Sequence, residues 1–421
     1  MSRSAPGQKT TVAGPTGARR GRASLVALLG ANAISMTGNV LTLTAIPWFV
    51  LETTDSAART GITAFFATVP AVLAAFFGGT VVDRVGFKRV SIVADLASGL
   101  TVALVPLLYH TVGLAFWQLL VLVLLGGLLD APGGTGRRAL LPDLAAAAGT
   151  RLERANGAAQ SIERGAAMLG APLAGVLILL LGASNVLWVD AATFAISAGL
   201  VAVMVPSPPS TDPPPRRGYV GELREGLRYL RRDRLMRTIV LIVMVTNFLD
   251  GPLSPVILPV YANRVLGSPV SLGLLVGAFG AAALLGAVAF GMVGHRLPRR
   301  ATFIAAFIAA GLPFWALATL PPLPIALAAM AAVGLAAGPI NPLLATIAQE
   351  RVPTNLRGRM FGIVSAGAFA ALPLGVLLAG YLVEWLGIRI TILGVAAGYL
   401  LVTLSLLVNP AIREMRTAVH P

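Results

Sequence analysis

The sequence has no cysteine among its 421 residues. Disulfides, thiolate metal sites and thiol nucleophiles are therefore excluded. Lysine occurs only at Lys9 and Lys88, and neither follows a glycine, so no G-x-x-x-x-G-K-[ST] phosphate loop exists. The three histidines, His110, His295 and His420, lie far apart in the chain. We expect no metal site, no cofactor and no ATP-driven activity.

Charge is also scarce, since only 12% of residues are Asp, Glu, Lys or Arg, whereas 56% are hydrophobic and mean hydropathy is +0.83. Soluble globular chains do not have this composition. A spanning helix needs about 20 apolar residues, so the length accommodates about a dozen spans and no large soluble domain. The net charge of +15 comes from short basic runs between apolar stretches, so we expect no nucleic-acid partner. The sequence predicts an all-α integral membrane protein.

Hydropathy predicts twelve spans, near residues 24–51, 60–82, 90–110, 114–132, 157–182, 184–206, 237–262, 270–293, 301–320, 323–348, 360–383 and 389–409. Cytoplasmic loops retain an excess of Lys and Arg. With both termini cytoplasmic, 28 of the 32 basic residues fall on that side and three, Arg59, Arg264 and Arg389, on the other. Arg164 alone lies within a predicted span.

The predicted organisation is a disordered cytoplasmic tail at 1–23, a six-span half at 24–206, a cytoplasmic linker at 207–236, a second six-span half at 237–410 and a cytoplasmic tail at 411–421. The linker is proline-rich at its start and then shows the pattern of an amphipathic helix. Landmarks recur between the halves at an offset near 212, as after spans 2 and 8. Two like-oriented halves place a cavity at their interface.

A motif follows the second span, where residues 79–89 read G-T-V-V-D-R-V-G-F-K-R. This motif resembles the signature of the major facilitator superfamily. The stretches at 45–51, 93–95, 141–144, 154–157 and 189–194 resemble its third drug:proton antiporter group, and the regions from the 80s to 95 and from 356 to 380 look closest to Tap-type multidrug efflux pumps. The resemblance implies the major facilitator fold, twelve transmembrane helices in two six-helix halves, and a transporter rather than an enzyme.

The resemblance also implies a gating latch at the cytoplasmic side, formed by Gly79, Asp83, Arg84, Gly86, Lys88 and Arg89. Asp83 can face the positive N-terminus of a neighbouring helix. Arg84 then needs an acid, and Asp130, at the predicted cytoplasmic end of span 4, is our candidate. In span 5, Pro172 and Gly175 match the antiporter motif G-x-x-x-G-P-x-x-G, whereas alanines replace its first two glycines.

Charged side chains inside spans cost about 2.5 to 3.5 kcal/mol each, so each needs a reason. Asp250, beside Asn247 and Pro252 in span 7, is our first candidate for proton coupling, the alternative being a structural kink. Glu163 is the second candidate. Glu163 and Arg164 diverge by about 100° on a helix and need separate partners, in the central cavity or in a gate near Arg154. Asp95 and Asp190 are expected to be structural.

Spans 1, 4, 7 and 10 line the cavity in this superfamily, which points to the substrate contacts Asn32, Met36, Asn39, Gln118, Asn247, Phe248 and Asn341, together with Arg164. Amides and thioethers on apolar walls suit varied amphipathic ligands. The alternative is that the amides only join helices by hydrogen bonds.

Together these features predict a monomeric, proton-coupled efflux transporter of a bacterial cytoplasmic membrane, with antibiotics among its amphipathic small-molecule substrates and membrane lipid around it. Alternatives are a transporter of another cargo, such as a siderophore, lipid or metabolite, and a membrane receptor that transports nothing. A membrane enzyme needs clustered polar groups or large outer loops, which the sequence lacks.

The predicted topology can be tested by labelling, because single cysteines can be introduced without background. Ser4→Cys and Ala418→Cys should react with a membrane-impermeant maleimide only in inside-out vesicles. Thr111→Cys, between spans 3 and 4, should react only in right-side-out vesicles. Termini on opposite faces would contradict the two-half arrangement.

Overall fold

The predicted all-helical membrane fold is confirmed. The computed structural model describes residues 15–207, 228, 230–352, 362, 364 and 366–415, with the backbone alone at 15–18 and 74–85. Within these residues, 11 helices are long and apolar enough to cross a membrane, and Ala57–Leu73 is a shorter apolar helix at the place of span 2. The twelve positions match the twelve predicted spans.

Six helices form the first half, and they are Pro15–Thr54, Ala57–Val85, Phe87–Thr111, Phe116–Ala147, Leu152–Leu181 and Ala183–Met204, spans 1 to 6. The turns between them are short. Gly86 and Gly182 have φ values of 90° and 83°, which only glycine adopts freely, and each ends one span directly before the next.

The second half repeats this layout with two interrupted spans. Span 7 consists of Arg234–Asp250, a π-helix at Leu253–Ile257, an α-helical turn at Leu258–Tyr261 and a π-helix at Ala262–Leu266. Spans 8 to 12 are Pro269–Val293, Arg299–Leu317, Leu323–Ala337 with Ile340–Arg351, Leu372–Leu386 and Ile388–Val408. Short 3-10 helices follow spans 8 and 12, at Gly294–Arg296 and Pro410–Glu414. Gly387, with φ of 85°, separates spans 11 and 12 as Gly182 separates spans 5 and 6.

The first span begins earlier than predicted, at Pro15, so the boundary of the disordered tail at residue 23 is wrong. Two contacts explain the extension. The Ser24 hydroxyl donates a 2.6 Å hydrogen bond to the Met204 carbonyl at the end of span 6. Gly21 packs so closely on span 4 that a Cβ there would lie 2.8 Å from the Ala148 nitrogen. Residues 1–14 of the predicted tail lie outside the described residues.

The second half is fastened at the same end of the bundle. Asp233 caps span 7 by accepting a 3.0 Å hydrogen bond from the Met236 amide, and it also accepts 2.8 Å from Arg351 Nε. Arg351 in turn contacts Glu414 at 2.6 Å. Ile412 is fully buried, so the predicted C-terminal tail begins as a packed turn. The amphipathic helix predicted in the linker lies mostly outside the described residues.

Span 4 differs most from its prediction, because it continues to Ala147 instead of ending near residue 132. Arg137, assigned by the sequence to a cytoplasmic loop, is consequently buried, with 4% of its side chain exposed. Its Nη1 lies 2.6 Å from Asp95 Oδ1 in span 3, and Ser197 donates a 2.6 Å hydrogen bond to the other Asp95 oxygen. The expectation that Asp95 is structural agrees with this buried pair.

The two halves meet at the end of the bundle opposite the described termini, which we call the closed end. A Cβ on Gly61 of span 2 would lie 2.7 Å from the Cα of Gly380 in span 11. A Cβ on Gly175 of span 5 would lie 2.6 Å from the Pro269 carbonyl oxygen at the start of span 8. Glycine is therefore required at these crossings for backbones to approach this closely.

Spans 5 and 8 separate away from the closed end. A Cβ on Gly273 would lie 2.9 Å from the Pro172 Cα, whereas one on Gly280 would lie 3.8 Å from the Met168 Cα. Spans 5 and 8, one from each half, thus diverge toward the end that carries the described termini, which we call the open end.

Breaking the Asp95–Arg137 pair should destabilise the first half, because the remaining charge would be buried without a partner. We expect Arg137→Met or Asp95→Leu to cost about 3 to 5 kcal/mol and the double variant to recover most of that loss. The measurement is the free energy of unfolding in detergent by steric trapping. Arg138→Met is the matched control, since Arg138 is exposed and pairs with Glu163 at 3.2 Å. An undiminished loss in the double variant would contradict this account.

Candidate functional site

A cavity of about 770 Å³ lies between the halves, and we call it the central cavity. Its walls come from span 5 and from spans 7, 8, 9, 10, 11 and 12. Four predicted residues line it, namely Arg164, Asn247, Asp250 and Asn341. Its volume lies in the range of small-molecule sites, about 300 to 1,000 Å³.

Asp250 stands at the midpoint of span 7 and reaches the cavity wall. The Tyr399 hydroxyl of span 12 donates a short hydrogen bond to Asp250 Oδ2. Asn247, one turn earlier, donates a 2.9 Å hydrogen bond to the Ala368 carbonyl and so connects span 7 to span 11. Sequence reasoning missed Tyr399, although a lone phenol in an apolar span signals that its hydroxyl has a partner.

The helix changes its winding directly after Asp250. Pro252 has no amide hydrogen, and its carbonyl accepts hydrogen bonds from both the Val256 and the Ile257 amides, each at 3.0 Å. The Ile257 bond closes a π-type turn, and the π-helix Leu253–Ile257 results. Such segments occur frequently at functional sites. The predicted distortion at Pro252 thus takes the form of a π-helix.

Glu163 and Arg164 occupy different surroundings, consistent with their divergence on the helix. Arg164 lines the central cavity. Glu163 instead pairs with Arg138 at 3.2 Å, in a position where both side chains are exposed. The placement of Glu163 among the proton-coupling residues of the cavity is therefore not supported by its position.

Five predicted substrate contacts do not line the central cavity, and four of them have structural positions. Asn32 accepts a 3.3 Å hydrogen bond from Arg137 Nε and contacts the sulfur of Met36. Asn32 and Met36 therefore belong to the buried network of the first half. Gln118 accepts 2.9 Å from the Ala115 amide and caps the start of span 4. Phe248 packs its backbone against Gly375 of span 11. These roles match the alternative that such side chains join helices.

Asn39 and Asp130 line a second cavity, of about 360 Å³, enclosed by spans 1, 2, 3, 4 and 6 with Pro255 of span 7. We call it the N-half cavity. Asn39 donates a 3.0 Å hydrogen bond to Asp130 Oδ2. The prediction of Asp130 at the cytoplasmic end of span 4 is wrong, because the longer helix puts it near the midpoint. Asp190 lines the same cavity and accepts from Thr42 at 2.5 Å.

The predicted latch is only partly described. The side chains at Gly79, Asp83 and Arg84 lie outside the described residues, so the proposed partner of Arg84 stays a prediction. Gly86 forms the turn between spans 2 and 3, and Arg89 is exposed. Lys88 Nζ donates 2.9 Å to the Ala202 carbonyl of span 6.

The span 5 motif lies at the contact between the halves. Pro172 packs against Gly273 and Gly277 of span 8, and Gly175 meets Pro269. These motif residues therefore join the halves and do not line the central cavity.

Charged groups also cross between the halves at the closed end. Glu384 of span 11 accepts a 2.8 Å hydrogen bond from the Ala57 amide and a 3.3 Å hydrogen bond from the Ser56 hydroxyl. Glu384 thereby caps the N-terminus of span 2. Arg264 of span 7 donates 2.6 Å to the Asp55 carbonyl. Sequence reasoning missed this cluster, although charges are rare at that end.

Solved structures share this fold at low sequence identity. The nucleoside transporter NupG matches with a TM-score of 0.76 and 13% identity over 91% of this chain and 98% of that chain. A bacterial homolog of the human lysosomal transporter Spinster, in an inward-facing and unoccupied conformation, matches with a TM-score of 0.75 and 12% identity over 98% and 100%.

Relatives match over nearly the whole chain. The multidrug efflux pump Tap of Mycobacterium tuberculosis is 36% identical over 406 residues, 95% of this chain and 96% of its own. Tap of Mycolicibacterium fortuitum is 33% identical, over 95% and 99%. Macrolide efflux protein A of Streptococcus pyogenes is 21% identical, over 91% and 94%.

The family model described as Major Facilitator Superfamily matches residues 28–265 and 240–418, one match for each half. With the two-half helical architecture, the Tap relatives and the motif after span 2, this match shows that the chain belongs to the major facilitator superfamily.

Proposed function

We propose that this chain exports amphipathic drugs by proton-coupled alternating access. The observation that carries the proposal is the central cavity, which widens toward one end, is closed at the other by contacts between the halves, and holds Asp250 in its wall. The names of the Tap and macrolide-efflux relatives support drugs as the cargo.

The walls of the central cavity suit ligands of varied shape. Met168, Met330 and Phe279 contribute soft, apolar surfaces, and Asn247 and Asn341 add hydrogen-bonding groups. Flexible thioethers can repack around different ligands, and the two amides can orient one polar group. Such a site favours breadth of recognition over fit to one compound.

Asp250 is our proposed proton carrier. As a carboxylate it accepts the Tyr399 hydrogen bond, whereas protonation removes its charge and one acceptor position. The apolar surroundings disfavour the charged form, so the water that reaches the group in each state governs its protonation. One proton moving through 100 mV supplies about 2.3 kcal/mol, enough for a roughly fifty-fold gradient of cargo.

The proposed orientation puts the open end in the cytoplasm of a bacterium, with both termini there. Basic residues are abundant at the open end, as the positive-inside rule requires, and include Arg138, Arg299 and Arg351. In the opposite state, the motif after span 2 would close this end, with Asp83 on a neighbouring helix N-terminus as the latch. We propose that the pump acts as a monomer.

Asp250→Asn should uncouple transport from protons. In proteoliposomes with an imposed pH gradient, we expect the gradient-driven accumulation of ethidium to fall about ten-fold or more. One coupled proton supplies the free energy for at least a roughly ten-fold concentration ratio, and the variant loses this contribution. Counterflow of ethidium without a gradient should persist. The readouts are ethidium fluorescence and proton flux in the same vesicles.

Asp143→Asn is the matched control, since Asp143 is an exposed aspartate at the open end. Full gradient-driven accumulation by Asp250→Asn would remove Asp250 from the coupling mechanism. If the proton flux of the unaltered protein is the same with and without ethidium, proton-coupled export is contradicted altogether.

Glu384→Ala should open the closed end, because it removes the acceptor that caps span 2 across the interface. Loss of a cap costs about 0.5 to 2 kcal/mol, so the ratio of open to closed molecules should rise roughly 2- to 30-fold. Spin labels at Val112→Cys and Thr319→Cys, on opposite halves, would report the longer distance. Glu153→Ala, an exposed glutamate at the other end, should leave the distances unchanged. Unchanged distances in Glu384→Ala would refute this role.

A further inference from the structure

The N-half cavity holds two acids in largely apolar walls. Asp130 comes from span 4 and Asp190 from span 6, and Asp190 is fully buried. The other walls include aliphatic side chains, the ring of Phe194 and the prolines Pro47 and Pro70. The cavity volume of about 360 Å³ is enough for a small organic ligand.

One oxygen in this cavity has no partner. Asp130 Oδ2 accepts the Asn39 amide, but Oδ1 is buried and makes no hydrogen bond. Asp190 accepts from Thr42 and, at 3.0 Å, from Thr193. A buried acceptor without a donor is costly, so the site is incomplete as it stands.

No cation in the described part of the chain pairs with either acid. Arg137, the buried arginine of this half, already bonds Asp95 and lies 3.2 Å from the Ser35 hydroxyl and 3.3 Å from Asn32. Its guanidinium is committed to that network. Among the described residues the positive group is therefore missing, and a cationic ligand would supply it.

The remaining polar groups of the cavity do not form a cage for a metal ion. Thr63, Thr68 and Thr101 turn their hydroxyls to carbonyls of their own helices, at 2.9, 3.0 and 2.7 Å. A hard cation takes six to eight oxygen ligands. Two carboxylates beside aliphatic and aromatic walls instead match a cationic head with an apolar body.

The N-half cavity is distinct from the central cavity. Ser254 lines the central cavity, whereas its neighbour Pro255 lines the N-half cavity. Both residues belong to the π-helix Leu253–Ile257, which thus forms part of the wall between the two spaces. We propose that the N-half cavity binds the ammonium group of an amphipathic amine between Asp130 and Asp190, as a second ligand site apart from Asp250.

The test is calorimetric binding of protonated N,N-dimethylbenzylamine, which carries one N–H donor, to the full chain in lipid nanodiscs, with isobutylbenzene as the uncharged analogue of the same shape. We expect Asp130→Asn and Asp190→Asn each to weaken binding of the cation at least about ten-fold, because each removes a charge-assisted contact. Asp143→Asn, which changes an exposed aspartate that lines neither cavity, should stay within two-fold of the unaltered protein. The uncharged analogue should bind weakly and equally to all of them.

A second measurement keeps both acids intact. In this cysteine-free chain, Leu122→Cys lines the N-half cavity and Leu284→Cys the central cavity. Protonated N,N-dimethylbenzylamine should slow maleimide labelling of the first several-fold and leave the second unchanged. Protection of Leu284→Cys alone would place the cation in the central cavity and overturn the proposal.

Unaltered affinity in both Asp130→Asn and Asp190→Asn, or equal binding of the uncharged analogue, would also refute the site. The second site does not depend on export, since binding is measured without a gradient. A chain that binds the cation at Asp130 but fails to accumulate ethidium would refute the proposed function and leave the second site standing.

Discussion

The close approach of backbones at the closed end is the constraint on which the rest of the architecture depends. Gly61 meets Gly380, and Gly175 meets the start of span 8, with no room for a side chain. In lipid, helices associate through such packing and not through the hydrophobic effect. Among the described residues, spans 5 and 8 diverge from this contact, and the central cavity lies in the space between the halves.

Charge is distributed unequally between the halves. The first half buries the Asp95–Arg137 pair and two further aspartates, whereas the described part of the second half buries Asp250 beside a phenol. A paired charge fixes the packing of the helices that carry it. Aspartates without a cation are free to change their protonation or their ligand. The structure therefore separates acids that stabilise the fold from acids suited to chemistry.

Much of this arrangement could be predicted from the sequence, because apolar runs and basic loops report directly on contact with lipid. The twelve spans follow from that signal, whereas the cavity position predicted for Asn247 came from the resemblance to the superfamily and the choice of Asp250 from the cost of an acid inside a span. The length of span 4 could not be predicted, since Arg137 and two prolines lower its hydropathy where it is in fact buried against span 3. Contacts between distant spans, such as Glu384 with Ala57, leave no local pattern.

The ends of each half are joined within that half. Ser24 ties the first span to the last of the N-terminal half, and Arg351 links the start of span 7 to the chain's final turn through Asp233 and Glu414. The ends of each half are thus joined by bonds between residues of that half. Because these bonds lie within each half, the two halves can tilt against each other without breaking any of them.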